Sequence, residues 1–153
     1  MKKFKFQLET LLKVTKRKKE EAEIKFAEAS RILEERRHQL QVLLSEMQAG
    51  QRDYEELMRE GKKVTVDAIM IYTSYINFKR EQIEQQQQLI IEARADKQKC
   101  LDELLKRMNK LKSIEQLKEK RFQQYQKEAL DEEQKMLDEI GLQLTMRGKK
   151  AEG

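Results

Sequence analysis

The sequence predicts an all-α protein, a long antiparallel two-helix coiled-coil hairpin. Three observations predict it: the 153 residues contain no proline, apolar residues recur every seven positions, and one short glycine-containing segment interrupts that pattern near the middle. Charged residues make up 40% of the chain and hydrophobic residues 38%, a balance that argues against a compact core. The abundance of Glu, Lys, Gln and Leu favours helix over disorder.

The first long helix is predicted over residues 1–60. Its apolar or small heptad residues fall into two phases separated by a four-residue stutter, which a coiled coil absorbs by local unwinding. Gly50 costs the helix about 1 kcal/mol and does not require a break. The heptad residues are Phe4, Leu8, Leu11, Ala22, Ala29, Ile32, Leu33, Leu40, Leu43, Met47, Tyr54 and Leu57.

The hairpin corner is predicted at residues 61–65. Gly61 suits the left-handed conformation that often follows a helix, and Thr65 suits the N-cap of the next one. A second long helix is predicted over 66–141, followed by a frayed basic tail over 142–153. The heptad residues of the second helix are Ile69, Ile76, Ile83, Ile90, Leu104 and Leu111.

The two helices differ in length. If the chain reverses at about residue 62, the first helix runs out opposite about residue 120 of the second. Beyond that point the second helix still carries Tyr125, Met136, Leu137 and Ile140. Because helical stability comes mostly from packing, we predict that another protein covers this tip, or that a second copy of the chain does.

A second apolar stripe lies just after the corner. Ile71, Tyr75 and Phe78 are spaced i, i+4 and i+7, on a different face from the heptad residues. A two-helix hairpin buries only one of these faces, so the outer stripe is predicted to be an interface or to remain uncovered. A β-strand is excluded here because the chain has no second β-like segment to pair with it.

Enzymatic and metal-dependent functions are not supported. His38 is the only histidine and Cys100 the only cysteine, so neither a zinc site nor a Cys–His pair can form. No glycine-rich phosphate loop occurs, and a two-helix rod has no cleft that could shift the pKa of paired carboxylates. We therefore expect no catalytic activity and no cofactor. With neither a signal peptide nor a membrane span, we expect a cytoplasmic protein.

Charge is distributed unevenly along the chain. Met1–Lys19 holds eight Lys or Arg against Glu9, a net charge of +7, whereas residues 128–139 hold six acids against Lys135, a net charge of −5. A basic helix leading into heptads also occurs in DNA-binding zippers. Here the basic segment already holds leucines in core register, which favours a solvated face or an acidic protein partner over nucleic acid.

Several segments resemble the FliJ family of the bacterial flagellar type III export apparatus. They are FKFQLETLL near the start, EGKKV at the corner, YTSYINF at the opening of the second helix and DEEQKMLDE near the end. The resemblance implies a hairpin similar to the stalk subunit of rotary ATPases. It also implies binding to the export ATPase FliI, whose hexameric ring the family promotes, contact with the export gate protein FlhA, and a role in recycling export chaperones.

The resemblance and the arm lengths together predict a non-enzymatic coupling component at the inner face of the cell membrane, with a homodimeric coiled-coil scaffold as the alternative. The gate-binding residues are predicted to be Ile71, Tyr75 and Phe78. The predicted ATPase-binding residues are Phe4, Phe6, Leu8, Leu11, Tyr125, Glu133, Gln134, Met136, Leu137, Asp138 and Glu139.

Overall fold

The computed structural model describes residues 2–59 and 63–152, with side chains up to residue 149. It contains two helices, α1 over Glu9–Arg59 and α2 over Val66–Glu152. The two helices pack against each other as an all-α helical hairpin. The predicted fold class is confirmed.

The start of α2 agrees with the sequence prediction. Thr65 is its N-cap: the backbone N–H of Ala68 donates to Thr65 Oγ1 at 3.2 Å, and the N–H of Ile69 donates to the Thr65 carbonyl at 3.2 Å. Asp67 adds a carboxylate to the first turn, where it complements the helix dipole. The prediction for Gly61 lies outside the described residues.

Two helix boundaries differ from the prediction. α1 begins at Glu9 and not at the chain start, and residues 2–6 are not helical. The reason is that this segment is held by its aromatic side chains, described below. α2 does not end near Gly141 but continues to Glu152, so most of the predicted tail is helical. A single glycine costs a helix only about 1 kcal/mol, and no proline follows to stop it.

The chain divides into two compact units. The central unit is Glu20–Lys106, and the terminal unit is Met1–Lys19 with Arg107–Gly153. In the central unit Leu33, Ile90 and Ala93 form a buried cluster, against which Ile32 and Leu40 pack. These residues include members of the predicted heptads on both helices, which confirms the packing face of this unit.

A buried hydrogen bond also joins α1 and α2 in the central unit. Gln86 is buried and donates from Nε2 to the carbonyl of Arg36 at 2.9 Å. A buried amide without a partner would be costly, so this bond favours one pairing of the two helices.

Leu33→Ala should destabilise the hairpin by about 2–5 kcal/mol, because it removes a buried side chain and leaves a cavity. Leu33 is only 2% exposed. Urea unfolding followed by far-UV circular dichroism measures the change. Ile24→Ala on the same helix is the matched control, since Ile24 is 70% exposed and should cost almost nothing. Equal losses for the two variants would contradict the assigned core.

Candidate functional site

In the terminal unit, α2 extends beyond the part of the chain that packs against it. The first described residue of the chain, Lys2, lies beside Tyr125, whose hydroxyl donates to the Lys2 carbonyl. From Asp131 to Lys149 every side chain of α2 is exposed. We call residues 129–149 the tip. The length mismatch that the heptads predict is therefore present within this unit.

The tip is amphipathic. At about 100° per residue, five of its seven large apolar side chains fall within about 120° of arc, and we call these five the tip stripe; Leu142 and Met146 lie on the other side of the helix. Leu137 and Ile140 in this stripe are 57% and 51% exposed. The members of the tip stripe are Leu130, Met136, Leu137, Ile140 and Leu144.

The tip stripe extends the packing face of α2. Leu111 is buried in the terminal unit, and Phe122, Met136 and Ile140 follow it along nearly the same line of the helix, within about 40°. This side of α2 packs on α1 where α1 is present and lies in solvent where α1 has ended. Each large side chain that a partner covered would contribute about 1.5–3 kcal/mol.

Acidic side chains occupy the opposite face of the tip. They are centred about 160° from the middle of the tip stripe. Glu133 alone among the acids lies within the stripe, and it lines a shallow groove with Tyr125, Ala129 and Leu130. Gln134 donates from Nε2 to Asp138 Oδ1 at 3.1 Å across one helical turn. The acids of the opposite face are Asp131, Glu132, Asp138 and Glu139, and Glu128 just before the tip lies on the same side.

An aromatic cluster holds the N-terminal segment onto α2. The ring centre of Phe4 lies 5.2 Å from that of Phe122 and 5.5 Å from that of Tyr125. Phe6 is buried, and the guanidinium of Arg121 lies 5.7 Å from the centre of its ring. Such edge-on and cation–π contacts stabilise a segment that is not part of a helix.

The predicted ATPase-binding residues thus differ in their exposure, and Leu8, just before α1, is partly buried. Phe4, Phe6 and Tyr125 make contacts within the chain, and Phe6 is too buried to meet a partner directly. Leu11 was predicted in core register, but it is 41% exposed, because α1 starts only at Glu9 and its packing face runs through Thr15. The residues on the tip are exposed: Glu133, Gln134, Met136, Leu137, Asp138 and Glu139.

The paired part of the terminal unit is strongly basic. Residues 107–127 hold seven Lys or Arg against two Glu, a net charge of +5, which adds to the +7 of Met1–Lys19. Among these cations, the ammonium of Lys118 pairs with Glu9 Oε2 at 2.9 Å. A basic surface therefore precedes the acidic tip along α2. Charges of both signs beside an apolar stripe favour a protein partner over a uniform polyanion.

The central unit contains the other predicted site. Ile71 and Phe78 are 69% and 56% exposed, as the outer stripe predicts. Tyr75 between them is exposed as well, but it also makes contacts with α1 that the spacing does not predict. Its ring packs on Gly50 of α1, and its hydroxyl donates to the Glu46 carbonyl at 3.4 Å, which leaves it 37% exposed. Sequence reasoning missed Gly50 as a contact because a glycine carries no apolar signal.

A charged side chain completes this contact. The ammonium of Lys79 lies 5.5 Å from the centre of the Tyr75 ring and pairs with the Glu46 carboxylate. The side chain of Lys79 is only 12% exposed. The charge of this lysine is therefore accommodated by a carboxylate on α1 and by an aromatic face.

Within the described residues, no group of three His, Cys, Asp or Glu side chains could hold a metal ion. No helix there is apolar enough over a sufficient length to cross a bilayer. A hydrogen bond from Arg31 lowers the pKa of the Glu28 carboxyl below its ordinary value, but this pair lies fully on the surface. Such a solvated ion pair on one helix indicates no binding site.

Comparison with known proteins identifies the family. Residues 4–150 match the sequence profile of the family described as "Flagellar FliJ protein". The chain belongs to the FliJ family. The match includes α1, nearly all of α2 and the whole tip. This FliJ-family chain is accordingly a protein associated with flagellar or type III export.

A solved structure shares the fold. The chain is similar to a protein from Chlamydia trachomatis described as a YscO homolog, with a TM-score of 0.71 and 24% sequence identity. The similarity covers 97% of this FliJ-family chain and 99% of the other protein. No functionally curated protein matches it.

Proposed function

We propose that this FliJ-family chain is a non-enzymatic component of the flagellar protein export apparatus. Its tip binds the ring of the export ATPase, FliI in this family, and promotes assembly and activity of the hexamer. The observation that carries this proposal is the tip stripe, an apolar packing face that continues after its partner helix has ended. A helix of this kind gains stability when another protein covers it.

The basic surface and the acidic tip support a ring as the partner. A protein that enters a ring meets several copies of one surface at different depths. The basic segment and the acidic tip that follows it along α2 would each face charges of opposite sign at one depth of insertion. At other depths they would face charges of the same sign and be repelled. We infer that the tip stripe supplies most of the binding free energy and that the charges set the depth of insertion.

Stimulation of the ATPase requires no chemistry from this chain. A protein that binds one arrangement of the ring subunits more tightly than others shifts the ring toward that arrangement. If the favoured arrangement closes the ATP sites, hydrolysis accelerates. This mechanism needs only a difference in binding free energy between ring conformations.

A second surface binds the export gate, FlhA in this family, and couples it to the ATPase. Ile71 and Phe78 are the exposed residues that support this assignment. Large exposed side chains on one helical face are typical anchors of a protein interface. Family membership further suggests that the chain handles export chaperones and works in the cytoplasm at the inner face of the membrane.

A direct assay tests the main proposal. The purified chain is added to the purified export ATPase, and both the rate of ATP hydrolysis and the hexamer fraction are measured by steady-state kinetics and size-exclusion chromatography with light scattering. We expect both to rise and to saturate at a fixed ratio of chain to hexamer. No change in either quantity would reject ATPase binding.

The same light-scattering experiment tests a homodimeric scaffold, because the tip stripe could also pack on a second copy. The chain alone should elute as a monomer at micromolar concentration. A stable dimer that persists when the ATPase is added would favour the scaffold.

A further inference from the structure

Gly50 lies in the interior of α1 directly beneath the ring of Tyr75. A methyl group at residue 50 would sit 2.6 Å from Tyr75 Cε1 and 3.1 Å from Cδ1. Carbon atoms in favourable contact are about 3.5–4.0 Å apart. No side chain can therefore occupy position 50 while the Tyr75 ring keeps its place.

The ring is held on this glycine by contacts on α1 and on its own helix. Its hydroxyl reaches the Glu46 carbonyl one turn before Gly50, and Lys79 lies over the ring while pairing with the Glu46 side chain. The glycine, the carbonyl and the ion pair come from positions that meet in only one pairing of the two helices. Together they form a specific seat for one aromatic side chain.

The neighbouring heptad positions could not replace this seat. Seven residues to either side of Gly50 stand Leu43 and Leu57. A shift of α1 by one heptad would place a leucine under the Tyr75 ring. Glycine is among the least favourable residues in a helix interior, so its presence at the point of closest approach indicates a specific requirement. Single residues that fit only one alignment are known to set coiled-coil register.

We propose that Gly50 is a positioning residue. It seats Tyr75, fixes the pairing register of α1 and α2 in the central unit, and thereby holds Ile71 and Phe78 outward for a partner. Ile71 and Phe78 stand four residues before and three residues after Tyr75, on the same face of α2. The rotation of α2 that places the Tyr75 ring on Gly50 therefore also determines the direction of Ile71 and Phe78. The consequence for the export gate rests on the function proposed above, whereas the register role does not.

A double-mutant cycle tests the seat. Gly50→Ala, Tyr75→Ala and the combined variant are unfolded in urea and followed by far-UV circular dichroism. With Tyr75 present, Gly50→Ala should raise the unfolding equilibrium constant about tenfold, because the methyl group overpacks the contact. In the Tyr75→Ala background, the same substitution should lower that constant, because only the better helix propensity of alanine remains. A stabilising Gly50→Ala in both backgrounds would overturn the proposal.

Gly141→Ala is the matched control, since a methyl group there meets nothing within 4 Å. It should not raise the unfolding equilibrium constant in either background. If Gly141→Ala lost as much stability as Gly50→Ala, the cycle would be measuring a general effect of alanine and not the contact between Gly50 and Tyr75.

Nuclear magnetic resonance gives a direct geometric readout. The chain has five glycines, so the glycine Hα signals can be assigned individually. The Hα protons of Gly50 should be shifted by the ring current of Tyr75, and the shift should disappear in Tyr75→Leu while Gly141 is unaffected. Unshifted Gly50 signals in the unaltered protein would overturn the seat.

Binding to the purified cytoplasmic domain of the export gate tests the consequence for function. Gly50→Ala should weaken this binding at least about fivefold although Ile71 and Phe78 are intact. If the cycle and the spectra support the seat but gate binding is unchanged, the positioning of Ile71 and Phe78 is wrong and the register role stands. If substitutions of Ile71 and Phe78 also leave gate binding unchanged, the proposed gate surface itself is wrong.

Discussion

Deletion of the residues after Glu128 is expected to abolish stimulation of the export ATPase while the remaining hairpin stays folded. The deletion removes the whole tip stripe, which supplies most of the proposed binding free energy. It leaves the buried residues of both units untouched, because side chains from Asp131 onward are exposed. Hydrolysis rate and far-UV circular dichroism measure the two effects. Unchanged stimulation would reject the tip as the ATPase-binding surface.

Point variants distinguish an effect of the apolar face of the tip from an effect of shortening the helix. Leu137→Ser with Ile140→Ser should weaken ATPase binding by about a hundredfold or more, since two burials of about 1.5–3 kcal/mol each are lost. Leu142→Ser with Met146→Ser is the matched control. Both residues are as exposed as those of the stripe but lie on the other side of the helix. Equal effects of the two double variants would mean that the tip does not bind through one face.

Ile71→Ser with Phe78→Ser is expected to eliminate binding to the export gate and to impair export, with ATPase stimulation retained. Both side chains are more than half exposed, and their loss removes the apolar anchors of the proposed gate surface. Tyr75 is left intact because its ring packs on Gly50, and its substitution would disturb the hairpin as well as the surface. Pull-down with the gate domain and a motility assay measure the two outcomes.

Ile91→Ser is the control for the gate surface. Ile91 is 58% exposed in the same unit, and it lies about 200° around α2 from Ile71. It should leave gate binding unchanged. Loss of ATPase stimulation along with gate binding in the Ile71 and Phe78 variant would show that the two functions do not reside on separate surfaces.

The proposed ATPase surface at the tip and the proposed gate surface at Ile71 and Phe78 differ in what a partner would have to provide. At the tip, a long apolar stripe with charge on the opposite face requires a partner that covers the helix over several turns. At the proposed gate surface, Ile71 and Phe78 flank the Tyr75 ring, which already packs on Gly50, so a small contact would suffice. We therefore expect a lasting association at the tip and, at the gate surface, a weaker one that forms and breaks.

The sequence by itself determined the fold class, the start of α2 and the overhang of α2 beyond α1. These follow from local or periodic signals: the heptad spacing, the N-cap at Thr65 and the unequal number of apolar repeats on the two sides of the corner. The exposure of Ile71 and Phe78 was predictable for the same reason, because their spacing places them off the packing face.

Only the tertiary structure decided how residues distant in sequence meet. Gly50 carries no pattern of its own, and its role appears only when the Tyr75 ring lies on it. Phe6 looked available to a partner, yet Arg121 and α2 cover it. α1 starts at Glu9 since aromatic contacts hold the preceding residues in another conformation, and α2 passes Gly141 since helix propagation outweighs one weak residue. Periodicity reports which face of a helix is apolar, whereas close contact between particular side chains depends on the register in which two helices pair.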